Sequence, residues 1–120
     1  MPFVVTCVNV PLGVAEEHEL QERFGRAICA VPGKSEQSLM LAFEANCHLY
    51  VAGNASQPAA YVEASIFANG GHAGYQEFVR QVSRAFQEVL GIDPRNVYMR
   101  FSDIPVWGIG GMVVDRRQFC

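Results

Sequence analysis

Residues 3–43 of this sequence recur, in weakened form, 58 residues further along the chain. The same shift aligns one apolar segment with another, one amphipathic segment with another, and the glycine after each amphipathic segment with its counterpart. An order preserved in this way is typical of a duplicated structural unit. It predicts two β-α-β units with halves at about residues 1–58 and 59–120 of a single 120-residue domain. The aligned pairs are Phe3 with Tyr61, Val4 with Val62, Glu19 with Glu77, Leu20 with Phe78, Arg26 with Arg84, Ala27 with Ala85, Val31 with Val89, Gly33 with Gly91 and Phe43 with Phe101.

The pattern of apolar residues predicts an α/β fold of the α+β type, with four long strands and two helices. Helices are expected over about 14–31 and 73–90, where apolar residues recur at helical spacing. Pro32-Gly33 ends the first helix and Gly91 the second. Runs rich in β-branched and aromatic residues predict strands at 3–8, 38–43, 59–67 and 97–101, with short extra strands near 48–51 and 113–119.

Two β-α-β units place both helices on one face of a four-stranded sheet and leave the other face bare. The strands are apolar on both faces, and a large exposed apolar face is typical of a self-association surface. We therefore expect an oligomer that buries sheet against its neighbours. The two short extra strands are candidates for pairing across subunits, because sheet edges bind further strands.

Charge and hydropathy exclude several classes of function. The net charge is −3, and no Lys/Arg cluster occurs beyond Arg116-Arg117, so a nucleic-acid partner is not expected. No apolar run approaches the roughly 18 residues of a membrane span, and no signal peptide opens the chain. The expected location is the cytoplasm, and secretion would need a route without a signal peptide.

The cysteines and histidines do not have the spacing of a metal or redox motif. No C-x-x-C pair occurs, which argues against a zinc knuckle and a thioredoxin-type site. Neither a metal nor a cofactor is expected, and Cys120 is the thiol expected to be accessible to oxidation. The residues concerned are Cys7, Cys29, Cys47 and Cys120, and His18, His48 and His72.

The sequence opens with Met1-Pro2, directly before the first predicted strand. Initiator methionine is usually removed when the second residue is small, and removal would make Pro2 a secondary amine at the chain terminus. A buried terminal amine can act as a base, whereas a proline that merely follows the start has no such role. The dipeptide alone leaves both interpretations open.

Several short motifs in order carry a resemblance to a known family. They are Met1-Pro2, Asn9-Val10-Pro11, Gly33-Lys34, the loop from Gly53 to Pro58, Arg95-Asn96-Val97-Tyr98 and the late Phe119. Over essentially its whole length the chain resembles the macrophage migration inhibitory factor (MIF) family of the tautomerase superfamily. The resemblance implies a tautomerase-type fold and a homotrimer with active sites at subunit interfaces.

The resemblance also implies the residues of a site. Pro2 would be the general base of a phenylpyruvate tautomerase, an isomerase acting on phenylpyruvate- or dopachrome-like α-keto acids. Lys34 would lower the pKa of that base and bind the substrate carboxylate, although a lysine at a helix C-terminus can equally be a solvated surface residue. A backbone N–H at Ile66 or Phe67 would bind the same carboxylate. Tyr98 would close the pocket from a neighbouring subunit, or else pack in the core.

Some residues depart from the family pattern. Ala59-Ala60-Tyr61-Val62 replaces a C-x-x-C of mammalian members, so a thiol-oxidoreductase activity is not expected. Arg100 would be a second carboxylate anchor if it pointed into the pocket, favouring more acidic substrates or a different reaction of a small acid, and a solvated arginine if it pointed outward. The alternative to an enzyme is a cytokine-like secreted protein with a cell-surface receptor and a vestigial pocket.

Overall fold

A computed structural model describes residues 1–119, without the side chain of Phe119, so the expectation for Cys120 lies outside the described residues. Two α-helices are present, α1 (Val14–Ala27) and α2 (Tyr75–Leu90). The strands are β1 (Pro2–Val8), β2 (Met40–Glu44), β3 (Ala60–Phe67), β4 (Val97–Ile104), β5 (Val106–Ile109) and β6 (Met112–Asp115). Short 3₁₀ turns cover Ile28–Ala30, Glu36–Ser38, Pro94–Asn96 and Arg116–Phe119.

Within this part of the chain the main sheet has the strand order β2-β1-β3-β4. Strand β1 runs parallel to β2, and β3 runs parallel to β4, while the two central strands β1 and β3 are antiparallel. Each parallel pair encloses one helix, which is the arrangement of two β-α-β units joined at their first strands. The predicted tandem β-α-β sheet is confirmed.

Both helices pack on the same face of the sheet. Every second residue of β1 and of β3 is buried under the helices, for example Val4 in β1 and Ile66 in β3. Phe24 of α1 joins the layers, because its ring contacts Phe43 of β2 at a centroid distance of 5.5 Å and Phe86 of α2 at 5.6 Å. The apolar spacing that predicted the helices therefore marks the faces that form the core.

The second long strand begins two residues later than predicted, and the first short strand does not form within residues 1–119. Strand β2 begins at Met40 rather than at residue 38, because residues 36–38 form a 3₁₀ turn. The expected strand at 48–51 is absent from the described residues, where Val51 makes only an isolated bridge to Asn54. A single bridge closes a tight turn but does not form a strand.

The tail is more regular than the sequence indicated. Strand β4 continues to Ile104, and β5 and β6 then form an antiparallel hairpin. Its turn is Gly110-Gly111, with φ angles of 59° and 80°. Two consecutive positive φ angles match the twist of a two-residue hairpin, and glycine adopts them without a steric penalty.

The sheet face away from the helices is open in the single chain. Met40 and Tyr98 on this face are 66% and 64% exposed. Phe3 and Val5 of β1 lie between them and are half-buried, beside the polar Glu63 of β3. Among residues 1–119, neither helix has the length and apolar character needed to cross a membrane.

Candidate active site at the start of the first strand

Pro2 is the first residue of a central strand and is buried. It lies opposite Ile66, which is fully buried near the end of the antiparallel strand β3. A proline is tolerated at the first position of a strand because its nitrogen has no hydrogen to donate to the ladder. The chain thus places the Pro2 nitrogen at the end of the sheet, next to the core.

The backbone N–H of Phe67 points at the residue that precedes Pro2. It donates to the Met1 carbonyl oxygen at 3.4 Å. The carbon of that carbonyl is bonded to the Pro2 nitrogen. The Phe67 N–H is therefore directed at an oxygen that lies next to the Pro2 nitrogen. The Phe67 side chain is 5% exposed.

Lys34, the single lysine of the sequence, reaches the same place from the loop after α1. Gly33 turns the chain with a φ of 75°, and the Lys34 N–H donates to the Val31 carbonyl at 3.1 Å. The ammonium nitrogen Nζ lies 5.7 Å from the centre of the Phe67 ring, within the range of a cation–π contact. Lys34 is half-buried, which disfavours the solvated-lysine alternative.

This end of the sheet lowers the basicity of amines. Burial, and to a smaller extent the charge of Lys34, lower the pKa of the Met1 amine below its ordinary value. Burial also lowers the pKa of Lys34 itself. Removing an ammonium group from water disfavours its charged form, and a neighbouring cation disfavours it further. An amine held here is therefore neutral at a lower pH than an amine in water.

Tyr98 and Arg100 do not join this group within one chain. Tyr98 lies opposite Tyr61 of β3, five residues from Ile66, a separation of about 17 Å along the strand. Arg100 is exposed on the open face, opposite Glu63. Since Tyr98 is 64% exposed, it does not pack in the core of its own chain. Arg100 likewise lies away from the core of its own chain, and both alternatives for it stay open.

Comparison with solved structures finds close matches to the whole fold. A MIF2 protein of Leishmania major matches with a TM-score of 0.87 and 24% identity, covering 95% of this chain and 97% of that one. A MIF homologue from Prochlorococcus marinus matches with a TM-score of 0.78 and 25% identity, covering 92% and 97%. A fused 4-OT described as an asymmetric trimer matches with a TM-score of 0.77 and 18% identity, covering 98% of each chain.

This chain has the fold of the MIF family. The resemblance carried by the sequence motifs is confirmed at that level, as is the tautomerase-type fold class. No family model matches the sequence, and no curated protein matches it either. The likeness therefore lies in the path of the backbone and in a few short motifs rather than in overall sequence.

In this MIF-type chain, sequence reasoning missed a residue at the same end of the sheet. Asp103 of β4 lies opposite Ile66 and so in the same row as Pro2. Its carboxylate accepts the Asn69 N–H at 2.9 Å and a guanidinium hydrogen bond from Arg116 at 2.8 Å. It thereby ties the loop after β3 and the segment after β6 to this edge. The sequence did not indicate Asp103 as a site residue, because the strand was predicted to end at Phe101.

Proposed function

We propose that this protein is a keto–enol tautomerase of phenylpyruvate- or dopachrome-like α-keto acids. The base is the secondary amine of Pro2 in the chain from which Met1 has been removed. The observation that carries the proposal is the buried start of β1 beside Lys34, where the pKa of an amine is lowered. A general base needs a pKa near the working pH, and an ordinary secondary amine is too basic.

The reaction needs one proton to move between carbon and oxygen of the substrate. In the ketonisation direction, the enol O–H proton is lost, the electron pair forms the C=O bond, and the carbon next to it gains a proton. The Pro2 nitrogen takes up and returns the proton, so no net charge is left on the protein. The half-buried Lys34 ammonium stabilises the negative charge that develops on the oxygen, because few water molecules compete with it there.

The substrate carboxylate needs a donor beside the base, and we assign this role to the backbone N–H of Phe67 rather than Ile66. The support is the hydrogen bond from Phe67 to the Met1 carbonyl oxygen, whose carbon is bonded to the Pro2 nitrogen. In the processed chain an oxygen of the substrate takes the place of that carbonyl oxygen. Ile66 is fully buried opposite Pro2 and contributes to the apolar floor.

The site is completed by a neighbouring subunit of a homotrimer. The support is the open sheet face, with Met40 and Tyr98 exposed, together with the trimeric state described for the fused 4-OT of the same fold. Tyr98 is about 17 Å along β3 from the row of Pro2, too far for its own site. It therefore reaches the pocket of the next subunit. Arg100, two residues on, lies on the same face.

The proposal is tested with Pro2→Gly, prepared in parallel with the parent protein, and with Met1 removal verified by intact mass for both. We expect phenylpyruvate tautomerisation to fall at least about 100-fold, the usual contribution of a general base. The oligomeric mass should not change, because Pro2 is already buried in the single chain. The matched control is Pro11→Gly, since Pro11 is exposed beyond β1 and should keep the parent rate. Full activity in Pro2→Gly would exclude the proposed base.

A further inference from the structure

Two cysteines that are far apart in the sequence lie together on the open face of the sheet. Parallel pairing of β1 with β2 places Cys7 opposite Glu44, and Cys47 follows three residues later. The Cys7 Sγ donates to Glu44 Oε2 at 3.3 Å. The two sulfur atoms and a carboxylate oxygen of Glu44 all lie within 4.8 Å of one another.

We propose that Cys7, Glu44 and Cys47 form a binding site for a thiophilic divalent cation, best matched by zinc. Two thiolates and one carboxylate form a donor set that zinc accepts, whereas magnesium and calcium bind oxygen ligands. Coordination replaces the proton of each thiol, which is released to solvent. The site goes beyond the proposed tautomerase, since Cys7 is five residues, or about 17 Å, from Pro2 along β1.

The spacing of the ligand atoms is close to that of a bound metal. With Zn–S and Zn–O bonds of about 2.3 and 2.1 Å, tetrahedral geometry separates the ligand atoms by about 3.5–3.8 Å. The sulfur-to-oxygen distance of 3.3 Å already lies near this range. The ligand atoms of the whole group lie at most 4.8 Å apart. Side-chain rotation therefore has to shorten the longest of these distances by about 1 Å to reach the spacing around a bound metal.

The backbone that carries the three ligands is well supported. Cys7 and Glu44 lie on adjacent hydrogen-bonded strands. The Cys47 N–H donates to the Val8 carbonyl at 2.9 Å, and the Asn46 N–H donates to the Val10 carbonyl at 3.1 Å, which holds the loop against β1. Ligands on fixed backbone lose little freedom when they bind a cation.

In the single chain a cation can reach the site from solvent. Cys47 lines an open groove of about 320 Å³, together with Asn9, Asn46, His48, Leu49, Tyr50 and Ala55. Glu44 is exposed. Three protein ligands and an open side leave the fourth position for water or an added ligand. The site therefore differs from a closed four-cysteine structural site.

The test is a zinc titration of the full-length, reduced protein after removal of metal with a chelator. We expect one Zn²⁺ per chain, measured by calorimetry and by competition with a chromophoric chelator. Cobalt serves as a second probe, because thiolate ligation gives it a charge-transfer absorption band.

Cys7→Ser and Cys47→Ser should each weaken zinc binding at least tenfold, and Glu44→Gln, an isosteric change at an exposed residue, should weaken it severalfold. Binding should strengthen as the pH rises, because each thiol must lose a proton.

The matched control is Cys29→Ser, an exposed cysteine outside the cluster, which should bind zinc like the parent. Saturating zinc should also raise the thermal midpoint of the parent and of Cys29→Ser, but not of Cys7→Ser, because only a ligand of the folded state stabilises it. The proposal is overturned if the parent does not bind zinc, if Cys7→Ser and Cys47→Ser bind it as tightly as the parent, or if Cys29→Ser loses binding equally. Phenylpyruvate turnover without zinc reports on Pro2 alone, so failure of either proposal is recognised separately.

Discussion

At the scale of the residue, the proposed chemistry depends on the contrast between Pro2 and Lys34. One supplies a nitrogen that must be neutral, and the other a cation that must stay charged. Burial lowers the pKa of amines at this place, including that of Lys34. The cation–π contact with Phe67 favours the charged form of Lys34 and so opposes part of that effect.

Removing the charge of Lys34 should change the pH dependence of the reaction. In Lys34→Gln the pKa of the Pro2 amine should rise, since a nearby positive charge that disfavours its protonated form is lost. Because the base acts only when it is unprotonated, the acidic limb of the kcat/KM profile should move to higher pH. The rate at neutral pH should fall about tenfold or more, as the developing oxyanion also loses a donor.

The control for this change is Lys34→Arg, which keeps the positive charge. Its acidic limb should stay near that of the parent, even if the rate falls because the guanidinium differs in shape. If Lys34→Gln left the acidic limb of the kcat/KM profile at the same pH, Lys34 would not influence the pKa of the base. Stopped-flow or steady-state phenylpyruvate assays over the stable pH range measure both quantities.

The sequence allowed some site residues to be predicted and not others, for a physical reason. Pro2 and Lys34 belong to short local motifs, so the residues next to them in the sequence are enough to identify them as candidates. The choice between Ile66 and Phe67 depends on the register of β1 against β3, and no motif in the sequence determines that register. The placement of Tyr98 depends on a second chain, which no pattern within one chain describes.

At the scale of the element, the 58-residue repeat predicted the sheet because each helix and strand retained its apolar period. The tail has no counterpart in that repeat. Its β5–β6 hairpin exposes apolar residues that are consecutive in the sequence, with Met112 70% and Val113 68% exposed. Without a buried face the period-2 signal of a strand is weak, and two adjacent glycines are typical of loops as well as of hairpin turns.

The start of α2 is packed more tightly than any sequence pattern showed. Gly74 has a φ of 82°, and a Cβ at this position would lie 2.1 Å from the Ala30 carbonyl oxygen. Gly74→Ala should therefore combine the left-handed backbone cost of about 1–2 kcal/mol with an overpacking cost of about 1–3 kcal/mol. The expected loss is about 3 kcal/mol or more in the free energy of unfolding, measured in urea at one fixed protein concentration.

Gly91→Ala is the matched control, because Gly91 also has a positive φ, 69°, but has no atom within 4 Å of the added Cβ. The free energy of unfolding of Gly91→Ala should fall only by the cost of the left-handed backbone, about 1–2 kcal/mol. Equal losses in the two variants would show that the contact with Ala30 does not form in solution. The comparison separates backbone strain from steric overlap.

At the scale of the whole molecule, the open sheet face connects the fold with the proposed function. One face is covered by both helices, and the other exposes residues that a single chain does not bury. The same face brings Cys7 and Cys47 together, which linear spacing could not show because the contact arises from strand pairing. Long-range pairing is the information that composition and motifs lack.

If this face forms the trimer, a charge in its centre should prevent assembly. Val5 lies on the open side of β1, opposite Glu63, so Val5→Arg leaves its charge near an acidic partner within the chain. We expect the mass from light scattering to fall from trimer to monomer, because three buried guanidinium groups would meet at the interface. The control is Val14→Arg at a residue 89% exposed on the helical layer, which should remain trimeric. A trimeric Val5→Arg would place the interface elsewhere.

In the proposed reaction the free amine of Pro2, and not any other base, carries the proton. With Met1 attached, the Pro2 nitrogen is an amide without basicity. Protein that retains Met1 should therefore be treated with methionine aminopeptidase while intact mass and phenylpyruvate turnover are followed in the same sample. We predict that activity appears in proportion to the loss of Met1. Full activity before treatment, or none after complete removal, would contradict the account, and the second result would favour the receptor-binding alternative.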